Sequence, residues 1–348
     1  MKRWQSLLLG VVVSVATLAY ALRGIDFNQL GGELLRGRYL FLLPTLLLGI
    51  AGLALRGVRW RALLDNRIGL GHSFNILNAS YLFNTFLPLR LGEVVRAFMA
   101  TRLTPPISMF TSLSSIVVER LADILAVVLL VVLAVTIAPV TPEIENAARI
   151  SGIIAVVGMI ALSIFAARRS LAHQVLNLVL RLLPFLKRFN LTTLADHVLD
   201  GIAPLGTLRG AAAAFGWTAI AWAVSVGMSF VLMYVFYDQP QLNAVLLITA
   251  AASLAVALPA VPGSVGPFEA AVVLGLTVSG MASAGVPEQQ ARAVAYAVLL
   301  HIVGVAQYAF LGFLGLSQEK ISLGDVLRAA RQLTSRSKNA TPAPTTPS

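Results

Sequence analysis

The chain has 348 residues, of which 57% are hydrophobic and only 12% charged, and it carries a formal net charge of +11. Apolar runs recur from the first residues to about Leu316, leaving no stretch for a separate soluble catalytic domain, so lipid is the solvent for most of the chain. The excess of Arg and Lys sits in short connections between apolar runs, which favours an anionic lipid surface over nucleic acid as partner, and the lack of cysteine excludes disulfides, thiolate nucleophiles and cysteine-based metal sites.

The first run, Trp4 to Leu22, follows Lys2 and Arg3 and predicts a retained span with its N-terminus in the cytoplasm; Ala19-Tyr20-Ala21 also resembles a signal-peptide cleavage site. Arg23 to Arg38 is a connection of mixed charge. Tyr39 to Leu55 then crosses to a basic connection with Arg56, Arg59, Arg61 and Arg67, read as a cytoplasmic loop. Phe74 to Ala100 is apolar at both ends but interrupted by Asn84, Pro88, Arg90, Gly92 and Glu93. It leaves at the basic Arg96 and Arg102, so both ends face one side and the segment predicts a re-entrant hairpin.

Ile107 to Ala138 crosses to an acidic loop with Glu143 and Glu145, and Ile150 to Ala167 returns to Arg168 and Arg169. Residues 170–209 combine basic side chains with Leu176, Val179, Leu180 and Leu183 at helical spacing, predicting an interfacial amphipathic helix and a cytoplasmic linker. Ala211 to Phe236 crosses outward to Tyr237-Asp238-Gln239-Pro240. Asn243 to Gly285 is broken at Leu258-Pro259 and again through Pro262-Gly263-Ser264-Val265-Gly266-Pro267, a second hairpin entering from outside. Glu288 to Leu316 leads to a basic tail, 317–348, whose Pro/Thr-rich end is expected to be disordered.

The expected fold is all-α: about six spanning helices plus two re-entrant helical hairpins in one membrane domain, 1–316. Units 39–138 and 211–316 have opposite topology, and both termini lie in the cytoplasm. Interrupted segments in corresponding positions of two halves point to a transport site. Backbone groups freed at a break cannot face lipid, so they must line protein or a wet cavity. Helices restarting near Gly92 and Pro267 are expected to aim N–H groups at that cavity, where an anionic headgroup fits.

Glu119, Arg120 and Asp123 fall inside the run Ile107 to Ala138, where each charge costs on the order of 2.5 to 3.5 kcal/mol at mid-bilayer. Packing against the first hairpin is expected to join them to Arg90, Glu93 and Arg96, either as a structural lock or as a site where arginines hold a phosphate. The candidate substrate-binding residues are Asn84, Arg90, Glu93, Arg96, Glu119, Arg120, Asp123, Gly263, Ser264, Gly266, Glu269 and His301. His301 and Tyr296 are candidates for a proton relay or a headgroup contact. His72, His173, His197 and His301 lack metal-ligand spacing, and no P-loop is present, so neither a metal nor a cofactor is expected.

These motifs carry a resemblance. Arg59-Trp60-Arg61, the stretch Asn84 through Arg96, Glu119-Arg120-Leu121-Ala122-Asp123, and Leu258-Pro259 through Pro262-Gly263-Ser264-Val265-Gly266-Pro267-Phe268-Glu269 make the sequence similar to the transmembrane-region family of lysylphosphatidylglycerol synthases, also called the flippase-like domain family. The similarity runs from about Trp4 to Leu316. In two-domain members this region is taken to move an aminoacylated phospholipid between leaflets, and a separate soluble domain makes that lipid; the present sequence is expected to lack the synthase domain.

The resemblance implies lipid handling in the cytoplasmic membrane: translocation of an anionic or aminoacylated phospholipid or a polyprenyl-phosphate lipid, without enzymatic activity. The alternatives are a non-transporting partner of a lipid-modifying enzyme, and an intramembrane enzyme using Ser264 and His301. The order of residues around Ser264 does not match G-x-S-x-G, which weighs against the second.

Overall fold

A computed structural model describes residues 3–23, 25–87, 91–137, 142–182, 191–256, 262–283, 285–322, 324 and 328. Its described residues form helices and connections with no strand. The expected Arg90, the Leu258-Pro259 pair, the end of the amphipathic segment at Leu183 and the end of the tail lie outside them.

Helix α1 spans Arg3–Ala21, and α2 spans Phe27–Arg36 where the sequence suggested only a connection. Asp26 caps α2 by accepting from the Asn28 N–H at 2.8 Å. A 3₁₀ turn at Tyr39–Phe41 leads into α3, Leu42–Leu63. Next come α4 (Leu70–Phe86), α5 (Gly92–Ala100), α6 (Met109–Ile137), α7 (Pro142–Ala167), α8 (Arg169–Leu182) and α9 (Leu191–Ile202). The amphipathic helix expected after residue 170 is α8. The expected linker holds a further helix, α9, whose Leu199 and Ile202 pack with Val118, Met159 and Ala214. Last are α10 (Leu208–Met233), α11 (Leu242–Ala255), α12 (Pro267–Val278) and α13 (Pro287–Gln318).

Five stretches among the described residues are long and apolar enough to cross a membrane: Tyr39–Leu63, Met109–Ile137, Arg149–Ala167, Leu208–Met233 and Pro287–Gln318. About six were expected. The remaining one is α1, whose described apolar stretch is Val11–Ala21. The long helices expose Leu43, Leu47, Ile154, Val157, Phe310 and Phe313, side chains that only a lipid solvent tolerates in such number.

The two interrupted segments form helical hairpins. Helix α4, at 17 residues, is roughly 25 Å long and α5, at nine, roughly 13 Å, both short of the ~20 residues a bilayer core demands. Their open ends share one end of the molecule, where Trp60, Leu64, Ile68, Ile76, Met99, Ile107 and Leu316 form a core. Helices α11 and α12 pair likewise, with 14 and 12 residues. Their open ends lie at the opposite end, with Met233, Tyr237, Val245, Ile248, Leu276 and Tyr296. Both breaks therefore fall in the middle of the molecule.

One expectation is corrected. Arg56 and Arg59 were assigned to a loop after Leu55, but α3 continues to Leu63 and carries both inside the helix bundle. Helix α10 packs along α3 and α6 beside α10, so Arg59 is buried against their polar groups instead of reaching water.

Candidate functional site

The first break is held by short-range chemistry. The α5 chain restarts at Gly92, whose N–H donates to Asn84 Oδ1 at 2.8 Å, so Asn84 of α4 satisfies a donor that the break leaves open. A Cβ at Gly92 would lie 2.0 Å from the Ser80 carbonyl oxygen, so only glycine lets the two limbs of the hairpin close to this distance. At the second break, Gly266 donates its N–H to Glu269 Oε2 at 2.7 Å, and Pro267 supplies the first helical position of α12. Both helices restart where expected. Their first turns, however, already hold a carboxylate each, Glu93 and Glu269.

Positive charge near the breaks is carried by four arginines, Arg56, Arg59, Arg96 and Arg120. Arg96 of α5 donates to both oxygens of Glu119 at 2.6 and 3.0 Å, and its guanidinium sits 4.1 Å over the Trp60 ring. Trp60 is fixed in turn by Nε1 donating to Ser115 Oγ at 3.0 Å. Arg59 of α3 donates to Asp123 at 2.7 Å and to Thr218 Oγ1 at 3.0 Å, and its Nε lies 3.5 Å from Glu119, an ionic contact. Trp222 Nε1 also donates to Asp123, at 3.1 Å. Arg120 pairs with Glu93 at 2.9 Å and lies 3.9 Å from Asp123.

These contacts make one chain of alternating sign: Glu93, Arg120, Asp123, Arg59, Glu119, Arg96. Five of its six members belong to the set expected from the sequence. The sixth, Arg59, joins what would otherwise be a group of three, Glu93, Arg120 and Asp123, and a separate pair, Glu119 and Arg96. The sequence signal for it was the demand of Glu119 and Asp123 for counter-charge in a membrane. Thr218, Trp222 and Ser225, on α10, carried no such signal, being ordinary in an apolar run.

The chain is balanced at three charges of each sign, and Arg56 stands beyond it. Its Nη2 donates to Ser225 Oγ at 3.0 Å, and no carboxylate of the described residues forms an ion pair with it. Arg56 faces a cavity of about 310 Å³ lined by α3, α4, α6, α10, α11, the second break, α12 and α13. Arg120 also borders the cavity, as do Asn84, Gly263, Ser264 and His301 from the expected set. Hydroxyls supply much of the remaining polar wall: Tyr81, Thr85, Ser225, Ser229, Thr249, Ser253 and Tyr308. Thr249 Oγ1 is buried without a hydrogen-bond partner. Among the described lining residues there is no Asp or Glu.

Glu93, Arg96, Glu119 and Asp123 lie behind this wall, and Gly266 and Glu269 hold the second break. His301 Nδ1 contacts Glu269 Oε1 at 2.5 Å and its Nε2 contacts the Gly263 carbonyl at 2.7 Å, while Phe268 stacks on the imidazole. With both nitrogens engaged, His301 makes no hydrogen bond to Ser264 among the described residues. Tyr296 is fully buried, donates to the Ser229 carbonyl at 2.9 Å and packs on Tyr237, a structural position.

A polytopic helical membrane protein with two broken hairpins, an arginine–carboxylate chain and a hydroxyl-lined cavity is the class defined here. Residues 7–312 match the model of the lysylphosphatidylglycerol synthase TM region, and the chain belongs to that family. No curated protein and no solved structure matches the chain.

Proposed function

We propose that this protein translocates a lipid across the cytoplasmic membrane, taking a headgroup with an anionic phosphate and no fixed positive charge into the central cavity. The observation that carries the reading is Arg56: a guanidinium facing the hydroxyl-lined cavity with no carboxylate of the described residues in an ion pair with it, one positive charge in excess of a balanced chain. An unpaired charge in a low-dielectric site is costly, and a phosphate forming charge-assisted hydrogen bonds offsets that cost. Serine, threonine and tyrosine hydroxyls suit an uncharged, hydroxylated headgroup. A lysyl ester brings an ammonium group, which a wall bearing Arg56 and Arg120 and no described carboxylate repels.

The two hairpins fit a re-entrant arrangement, the first opening to the cytoplasm and the second to the outside, because each has both open ends at one end of the molecule and its break in the middle. Packing supports an inverted repeat of α3–α6 and α10–α13. Helix α4 lies against α13 as α11 lies against α6, and α3 and α10 pair across the centre. Alternating access would then be a movement of one unit against the other around the fixed cavity.

The test is translocation in proteoliposomes, with fluorescent short-chain phosphatidylglycerol, lysyl-phosphatidylglycerol and a polyprenyl phosphate compared. We expect the anionic lipids to move and the lysyl ester to lag. Arg56→Gln should slow the anionic lipid by about tenfold or more, the worth of one charge-assisted hydrogen bond. Equal rates for wild type and Arg56→Gln at equal abundance would overturn the reading.

A further inference from the structure

We infer that Glu269 and His301 form a proton-binding site that clamps the second break, and that the ion coupled to lipid movement is the proton. The site stands on geometry alone; its coupling to lipid rests on the function proposed above.

A carbonyl oxygen only accepts, so the 2.7 Å contact between Gly263 O and His301 Nε2 requires a proton on Nε2. At 2.5 Å, His301 Nδ1 and Glu269 Oε1 cannot meet lone pair to lone pair, so one further proton lies between them. Whether that proton sits on nitrogen or oxygen, the pair is electrically neutral. Glu269 Oε2 is meanwhile occupied by the Gly266 N–H. The two residues thus share one proton, and through it α13 holds the carbonyl of Gly263 and the N-terminus of α12 together.

Removing the shared proton to water in the cavity leaves a carboxylate facing an imidazole lone pair. That contact is repulsive, and the one N–H left on the imidazole can serve either Glu269 or the Gly263 carbonyl but not both, so α13 lets go of one side of the break. The position suits exchange with the cavity, because Gly263, Ser264 and His301 all border it. Among the described residues, the charged groups across the cavity are Arg56 on α3 and Arg120 on α6, and the phenols are Tyr81 on α4 and Tyr308 on α13. Helix α11 contributes no ionisable residue, and α1 brings Ser14 and Thr17 against Gly266. An arriving phosphate would neutralise the excess of Arg56 and make the protonated, neutral state of the pair easier to keep. Lipid and proton are thereby linked in the same direction.

The chain contains no cysteine, so Ser264→Cys places one thiol at the break. In the full-length protein in lipid nanodiscs, the rate of alkylation by a small neutral thiol reagent is measured from about pH 5 to pH 9. The same profile is taken with Glu269→Gln added. The amide can accept from Gly266 and donate to Nδ1, holding the clamp without the proton shared between carboxyl and imidazole, and dividing the two rates at each pH removes the thiol's own ionisation.

We expect the ratio to rise several-fold as pH rises. A ratio flat across the range would overturn the proton site. If Glu269→Gln does not accumulate, His301→Phe serves in its place. It keeps the stack on Phe268 but lacks the clamp, so it should label fast with no pH dependence beyond that of the thiol, and a ratio to it that is flat overturns the site equally. Alkylation does not depend on lipid transport. A rising ratio together with Arg56→Gln that transports normally would sink the lipid reading and leave the proton site standing.

Discussion

At the scale of single residues, Glu119 is the centre of the buried charge. It is 3% exposed, accepts two hydrogen bonds from Arg96 and touches Arg59. Glu119→Gln would strand the buried guanidinium of Arg96 and leave Arg59 with Asp123 as its one carboxylate, and breaking a buried pair in this way costs about 3–5 kcal/mol. Glu93→Gln, whose partner Arg120 is partly open to the cavity, should cost about 1 kcal/mol or less. Denaturant unfolding of the purified variants checks the ranking: similar losses for the two would mean that the chain is not buried as described. Gly92→Ala should also destabilise, by about 1–3 kcal/mol, because its new Cβ meets backbone that cannot move aside like a side chain.

At the scale of elements, α4 and α13 approach each other closely. A Cβ at Gly312 would lie 2.4 Å from Leu82 Cβ and 2.9 Å from the Asn78 carbonyl, so the axes can approach only because glycine stands there. Gly312→Val should separate the helices and lower the thermal midpoint of the purified protein, whereas Ala306→Val on the exposed side of α13 should leave it nearly unchanged. Hydropathy found both hairpins, because Pro, Gly and charge interrupt otherwise membrane-like runs. It missed α2 and α9, which are short and amphipathic and owe their helicity to packing on neighbours. It also ended α3 too early. Arg56 and Arg59 look like the rim of a loop until α6 and α10 supply their partners, while Arg61 does bond the connection after α3, at the Ile68 carbonyl.

At the scale of the whole molecule, the charges of the connections give an orientation. Arg38 bonds the carbonyls of Tyr234 and Tyr237 and pairs with Asp238 at one end, while Glu319 meets His72 and Asn75 at the other. In the orientation we propose from the positive-inside rule, the end with Arg61 and Arg67 faces the cytoplasm. In intact cells, Asp238→Cys should react with a membrane-impermeant thiol reagent, and Ser317→Cys should react only after permeabilisation. The opposite pattern would invert the orientation and with it the sides from which the hairpins open.

The sequence alone determined that this protein is an all-α membrane protein, where its two breaks fall, and which charges need partners inside the membrane. Those properties follow from local composition and from the cost of charge in lipid, which a single chain displays in order. Only the tertiary structure decided which partner each charge takes. Arg59 completes the chain, Arg56 exceeds it, and His301 meets a break 38 residues away in sequence at Gly263. Such pairings depend on which helix faces are brought together across long separations, and the pattern of any one segment does not encode them.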